Sequence, residues 1–185
     1  MWSISDKAFM YLNGLDIKEY GNLSEYAYKT VVRKEAKARG FHKKQRWNKS
    51  LLVGEKCGFN TIICELKGHI MLKEELEDPK DGTVYFDPKL DIAVAFDQQS
   101  EINLAKRKCR NNVKIRIAKN KEINFKKSLD GFARMGNYKV LLVATQNISK
   151  DDEVFLSPMD FKRYNGEKDA CSCTKEEYCL YSMAK

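Results

Sequence analysis

Three of the six cysteines in this chain fall within nine positions near its carboxyl end, in the stretch KDACSCTKEEYC. Cys171, Cys173 and Cys179 are spaced C-x-C-x5-C. A tight C-x-C pair sets two thiolates on one ion, and a third a few residues later closes one side of a tetrahedron. Structural zinc takes four ligands, so a fourth must come from elsewhere. No histidine follows His69, which leaves Cys57, Cys64 and Cys109. Cys64 sits in an apolar run and reads as core packing. Cys109, in KRKCRNN, is flanked by cations that favour a thiolate and is the best candidate. The bland alternative is three incidental thiols in a frayed tail.

The rest of the composition sets bounds. At 185 residues with 43% hydrophobic content the chain suffices for one compact domain with appendages, not a disordered tail. No apolar run is long enough to span a bilayer, and MWSISDKAFMYLNGLD lacks a signal-peptide layout, so the expectation is an intracellular soluble protein without a membrane partner. In a reducing compartment six cysteines read as thiols or metal ligands rather than disulfides. The net charge of +8 favours an anionic partner. It is uneven: residues 31–49 hold eight Lys or Arg against Glu35, and residues 103–127 hold ten against Glu122. Such runs are often only solvated faces.

The elements that must position these residues follow from periodicity. Leu23, Tyr26, Ala27, Val31 and Lys34 recur at helical spacing and Gly40 is placed to end the run, which predicts a helix over 23–39. A shorter helix is expected from Asp6 to Leu12. After residue 47 the texture turns to strands. TIICELKGHIML is a β-branched-rich run broken at Gly68; NVKIRI alternates; YKVLLVAT is an apolar run of strand length; DEVFLS follows the polar turn SKDD. The fold class is therefore mostly β with some α. It divides into a helical amino-terminal arm (1–47), a β domain of short strands (48–165) and a cysteine-bearing tail (166–185).

An internal cysteine followed about sixty residues later by a C-x-C…C tail resembles a SET domain with its post-SET tail. In that family a cysteine in an Asn-His-x-Cys-x-Pro-Asn segment joins three tail cysteines around one zinc. Other stretches fall in family order. CGFNTIICELKGHIML is similar to the early strand pair, K-G-x-x-I-x-E-Y-x-G-E-V, with Gly58, Glu65 and Gly68 in step. TVYFDPKLDIAVAFD resembles the following hairpin, KRKCRNNVKIRI the Asn-His-x-Cys segment, and LLVATQNISKDDEVFLS the late A-x-x-x-I-x-x-G-E-E-L strand and turn. The likeness covers residues 48–180. It implies a SET fold with its pseudoknot, laying residues 106–113 against 154–160. It also implies a zinc held by Cys109, Cys171, Cys173 and Cys179.

The departures fall on the chemistry. The family's G-x-G turn, where backbone approaches S-adenosylmethionine, reads Asn48-Lys49-Ser50 here. The Asn-His pair reads Lys106-Arg107, two cations beside the place of a sulfonium, worth about 4 kcal/mol of repulsion for a contact pair under near-surface screening. Asn48, Ser50, Lys106 and Arg107 are thus the implied cofactor positions, in degenerate form. Ser157, Pro158, Met159 and Asp160 stand where the family's aligning tyrosine belongs, and Tyr164 comes at least four positions late. No catalytic residue is assigned. The basic pair before the cysteine resembles a degenerate branch that includes the scaffold subunit of a fungal histone-deacetylase complex and animal mixed-lineage-leukaemia-like proteins.

Three functions follow from this. One is a non-catalytic or weakly active, nuclear interaction module of a chromatin complex with a structural zinc. Another is an active S-adenosylmethionine-dependent lysine methyltransferase, with Tyr85, Tyr138 or Tyr164 walling a lysine channel. The third is a nucleic-acid-binding protein using the basic segment 31–49, with Phe41 and Trp47 for stacking. His42 and His69 read as ordinary surface or packed histidines.

Overall fold

The computed structural model of the chain describes residues 3–14, 31–37, 47–76, 83–97, 100–119 and 138–163, together with Cys171, Cys173 and Cys179. Among them the chain is mostly β, with one α-helix. Its strands are β1 (Ser3–Ile4), β2 (Val31–Lys37), β3 (Trp47–Val53), β4 (Ile62–Leu66), β5 (His69–Leu72), β6 (Thr83–Phe86), β7 (Ile92–Phe96), β8 (Lys106–Arg107), β9 (Val113–Lys119), β10 (Tyr138–Ala144), β11 (Phe155–Leu156) and β12 (Phe161–Arg163). The helix is α1 (Asp6–Asn13).

They assemble into a five-stranded sheet in the order β1-β5-β7-β6-β12, a three-stranded sheet β4-β10-β9, and two pairs, β2-β3 and β8-β11. Strand alternation decides the faces. On β10, Val140, Leu142 and Ala144 turn into the main core with Ile115 and Ile117 of β9, while Leu141 and Val143 join Ile62 and Ala118 in a second buried cluster. Phe96, Phe161, Ile63, Leu142 and Leu156 are fully buried, and each such side chain contributes on the order of 2 kcal/mol.

The short helix forms where the sequence asks for it. Ser5 caps it by accepting from the Ala8 amide at 3.1 Å, and Asp6 lies in the first turn, where the helix dipole favours an acid. Ala8, Phe9 and Leu12 share its buried face. Phe9 meets Tyr138 edge-on at 5.9 Å, and the Tyr138 hydroxyl donates to Asn13 Oδ1 at 2.7 Å, tying α1 to β10.

The break at Gly68 has a steric cause. A Cβ there would lie 2.9 Å from the Ala95 carbonyl, Phe96 Cδ1 and Val94 Cγ1, so the backbone passes too close to β7 for any side chain. Beside it β1 pairs parallel to β5, setting Ser3 opposite His69.

The helix expected over 23–39 is not what forms at 31–37. That segment is β2, antiparallel to β3 from Val31 opposite Val53 to Lys37 opposite Trp47. Arg, Lys, Glu and Ala favour helix locally, but propensity is a weak prior, and β3 offers seven residues of ladder. The register sets Glu35 opposite Lys49. Residues 23–30 and 38–39 lie outside the described residues.

Candidate metal centre and the adjoining polar group

Cys109 is placed by main-chain hydrogen bonds on both sides. Before it, β8 runs parallel to β11, with Lys106 opposite Phe155 and Arg107 opposite Leu156, and the Lys108 amide donates to the Leu156 carbonyl at 2.8 Å. After it, the Asn112 amide donates to the Phe155 carbonyl at 3.1 Å. The Asn112 side chain, 5% exposed, closes the clasp: Nδ2 donates to the Glu153 carbonyl at 2.8 Å and Oδ1 accepts from the Phe155 amide at 2.7 Å. Residues 106–112 therefore lie against 153–156, within the contact of 106–113 with 154–160 that the resemblance implies except at Glu153.

This clasp brings Cys109 to the tail. The sulfurs of Cys109, Cys171, Cys173 and Cys179 all lie within 4.8 Å of one another. Cys109 Sγ is 3.4 Å from Cys173 Sγ, Cys171 Sγ is 3.1 Å from Cys173 Sγ, and the Cys109 amide donates to Cys171 Sγ at 3.3 Å. Four thiolates around a tetrahedral zinc stand about 3.8 Å apart, given Zn–S bonds of about 2.3 Å. The donor set fits such an ion in number, type and spacing. As thiols the sulfurs bond one another, and these bonds, first to Cys171 and then to Cys109, push Cys173 up to about 12. A divalent ion would replace those protons and hold thiolates.

The two other cysteines do not join the cluster. Cys57 is fully buried and its thiol donates to the Glu55 carbonyl at 3.3 Å. Burial, then the charges of Glu101 and Glu65, push Cys64 up to about 12, the environment of an inert packing thiol.

A second group lies on the other side of β8. Ser50, 2% exposed, donates through Oγ to Glu153 Oε1 at 2.8 Å, and Lys106 Nζ pairs with the same oxygen at 2.7 Å. Partial burial alone would raise the Glu153 carboxyl. The hydrogen bonds from Lys106 and Ser50, with the charges of Lys106 and Lys108, outweigh it and hold the carboxyl below its ordinary range. Arg107, the next residue on the strand, points the other way. It is 7% exposed, donates from Nη1 to the Ala105 carbonyl at 2.8 Å, and places Cζ 4.2 Å from the centre of the Phe161 ring. Lys108 caps the Phe155 ring at 3.8 Å. Three cations of the second basic run are thus engaged within the chain. Asn48 lies on β3 opposite Ala36; its side chain is outside the described residues.

The remaining expected positions resolve as follows. Ser157 caps the single turn Pro158–Asp160 by accepting from the Met159 amide, and none of these four places a phenol there. Tyr85 is buried against Phe161, ring centres 5.4 Å apart, with its hydroxyl 3.4 Å from Asp87 Oδ2. Tyr138 is a core residue bound to α1, and burial pushes its hydroxyl up to about 12. His69 bonds through Nδ1 to Ser3 Oγ, and burial pulls it below its ordinary value despite nearby Glu75. Tyr164, Phe41 and His42 lie outside the described residues, as does the Trp47 side chain.

No protein-family model and no curated protein matches the chain. Among solved structures it is similar to ctPRC2 in an autoinhibited conformation bound to S-adenosylmethionine, at 12% identity and a TM-score of 0.46 over 75% of this chain and 16% of that one. It is also similar to the polycomb repressive complex 2 of Chaetomium thermophilum, at 13% identity and a TM-score of 0.44 over 71% and 15%. KRYPTONITE in complex with mCHH DNA, an H3(1-15) peptide and SAH matches at 12% identity and a TM-score of 0.48 over 84% and 30%. This chain spans between 15% and 30% of the length of those chains.

One residue of this polar group escaped the sequence. Glu153 reads there as part of a late strand, whereas in the fold it binds partners 47 and 103 residues away. The only local signal is an acid two residues before an apolar pair, too common to single out.

Proposed function

We propose that this chain is a SET-like module without methyltransferase activity, whose tail is pinned to the body by a structural zinc, and that it serves as an interaction subunit on chromatin. The observation that carries the first half is the Ser50–Glu153–Lys106 group. In the SET resemblance, Ser50 and Lys106 stand at cofactor positions. Here both spend their polar groups on one carboxylate. The ion pair neutralises the charge that the sequence counted against a sulfonium, so what opposes S-adenosylmethionine is occupation rather than repulsion. Displacing Lys106 from Glu153 would leave a partly buried carboxylate short of its partner. A buried serine in place of glycine also denies the close backbone approach, and Pro158 supplies no hydroxyl to align an amine. These residues do not fit the cofactor.

For the zinc, the four-sulfur cluster supports the ligand set Cys109, Cys171, Cys173 and Cys179. When bound, such an ion supplies folding energy rather than chemistry. Chromatin partners and a nuclear location rest on the resemblance to the degenerate SET branch. The nucleic-acid reading rests on the basic segment 31–49, whose side chains lie outside the described residues.

The test is transfer of labelled methyl from S-adenosylmethionine to core histones by the zinc-loaded protein. No transfer above a protein-free control is expected; steady turnover would overturn the proposal.

A further inference from the structure

The sequence counts Arg107 only as a cation out of place. Its surroundings are those of a bound ligand. Arg107 is 7% exposed and its guanidinium stacks 4.2 Å over Phe161, itself 1% exposed. The Tyr85 ring, 3% exposed, leans against Phe161 at 54°. The Ala105 carbonyl accepts from Nη1 at 2.8 Å. An aromatic face, a second ring holding it in place and a carbonyl acceptor are together the chemistry that recognises a flat cation.

We infer that Arg107 is an internal ligand, its guanidinium filling from within the chain a cation pocket built on Phe161 and braced by Tyr85. The ligand class of that pocket is a guanidinium or small alkylammonium. In the native chain it is closed, because the side chain two residues before Cys109 already occupies it. A shorter residue at 107 would leave the Ala105 carbonyl and the Phe161 face without their cation, and an external one of the right shape would restore both. This goes beyond the proposed function and does not depend on the SET resemblance.

The test is thermal unfolding of the full zinc-loaded chain, wild type against Arg107→Ala, with about 20 mM ethylguanidinium set against sodium at equal ionic strength. The variant should melt lower than wild type and regain about 3 °C with ethylguanidinium. Wild type should not respond, and urea at the same concentration should not rescue the variant. A variant that responds no more than wild type overturns the inference. Should Arg107→Ala fail to fold, Arg107→Met and Phe161→Leu, alone and together, provide the second measurement. Losses that fall short of additive are expected, since either change breaks the same stack; fully additive losses would overturn it.

Discussion

Replacing Asn112 by alanine should loosen the junction on which both the cluster and the neighbouring Glu153 group are built. The Asn112 side chain donates to the Glu153 carbonyl and accepts from the Phe155 amide, at 2.8 and 2.7 Å. Its own amide and carbonyl bind the Phe155 carbonyl and the Thr145 amide, and those contacts survive the change. Alanine therefore strands one acceptor and one donor of the main chain where the parent residue is 5% exposed. Each stranded group costs about 1–3 kcal/mol, and some relaxation brings the expected loss to about 3 kcal/mol. In a chain of this length that lowers the melting temperature by about 6–12 °C. Urea unfolding followed by circular dichroism measures it. Asn111→Ala is the control: its Nδ2 makes a single bond, to the Val113 carbonyl at 2.8 Å, and a loss of about 1 kcal/mol is expected. If Asn112→Ala stays within about 0.5 kcal/mol of wild type, the clasp does not hold the two segments together as described.

Other outcomes follow from the same contacts. Gly68→Ala should cost about 1–3 kcal/mol in thermal melts, because its Cβ meets the Ala95 carbonyl at 2.9 Å and backbone must move. Cys173→Ser should abolish zinc in elemental analysis and speed proteolysis after residue 163, while the β-rich body melts within about 1 kcal/mol of wild type. A change in the body with no change in the tail would contradict that division. Glu153 has a folded carboxyl below its ordinary value of 4.5, so its contribution is present above that value and is lost as pH falls through the folded one. Glu153→Gln should accordingly show a shallower loss of stability than wild type between pH 5 and 3, measured by urea unfolding; parallel slopes would remove the carboxylate from the account.

Much of the fold was legible because its determinants are local. The alternation of NVKIRI, the apolar run YKVLLVAT and the break at Gly68 each became an element boundary in the structure. The turn SKDD was readable too: Asp151 takes φ 69°, a conformation that aspartate tolerates better than most residues. The cysteine cluster was legible for a different reason, since sulfur ligands are few and elimination left little choice. What misled was the segment 31–37, whose Arg, Lys, Glu and Ala obey a helical preference until a partner strand outbids it. The polar group around Glu153 was the least visible. The fates of Lys106 and Arg107 diverge because adjacent residues on a strand face opposite ways, one to Glu153 and the other to Phe161. Neither partner is near in sequence, so charge alone could not tell a cofactor contact from an internal bond.

Isothermal titration of S-adenosylmethionine into the zinc-loaded wild-type chain bears most directly on the central claim. With Ser50 and Lys106 committed to Glu153, no heat of binding is expected up to millimolar cofactor. A saturable isotherm in the micromolar range would mean that this group opens to the cofactor, and the reading of a non-catalytic module would fail.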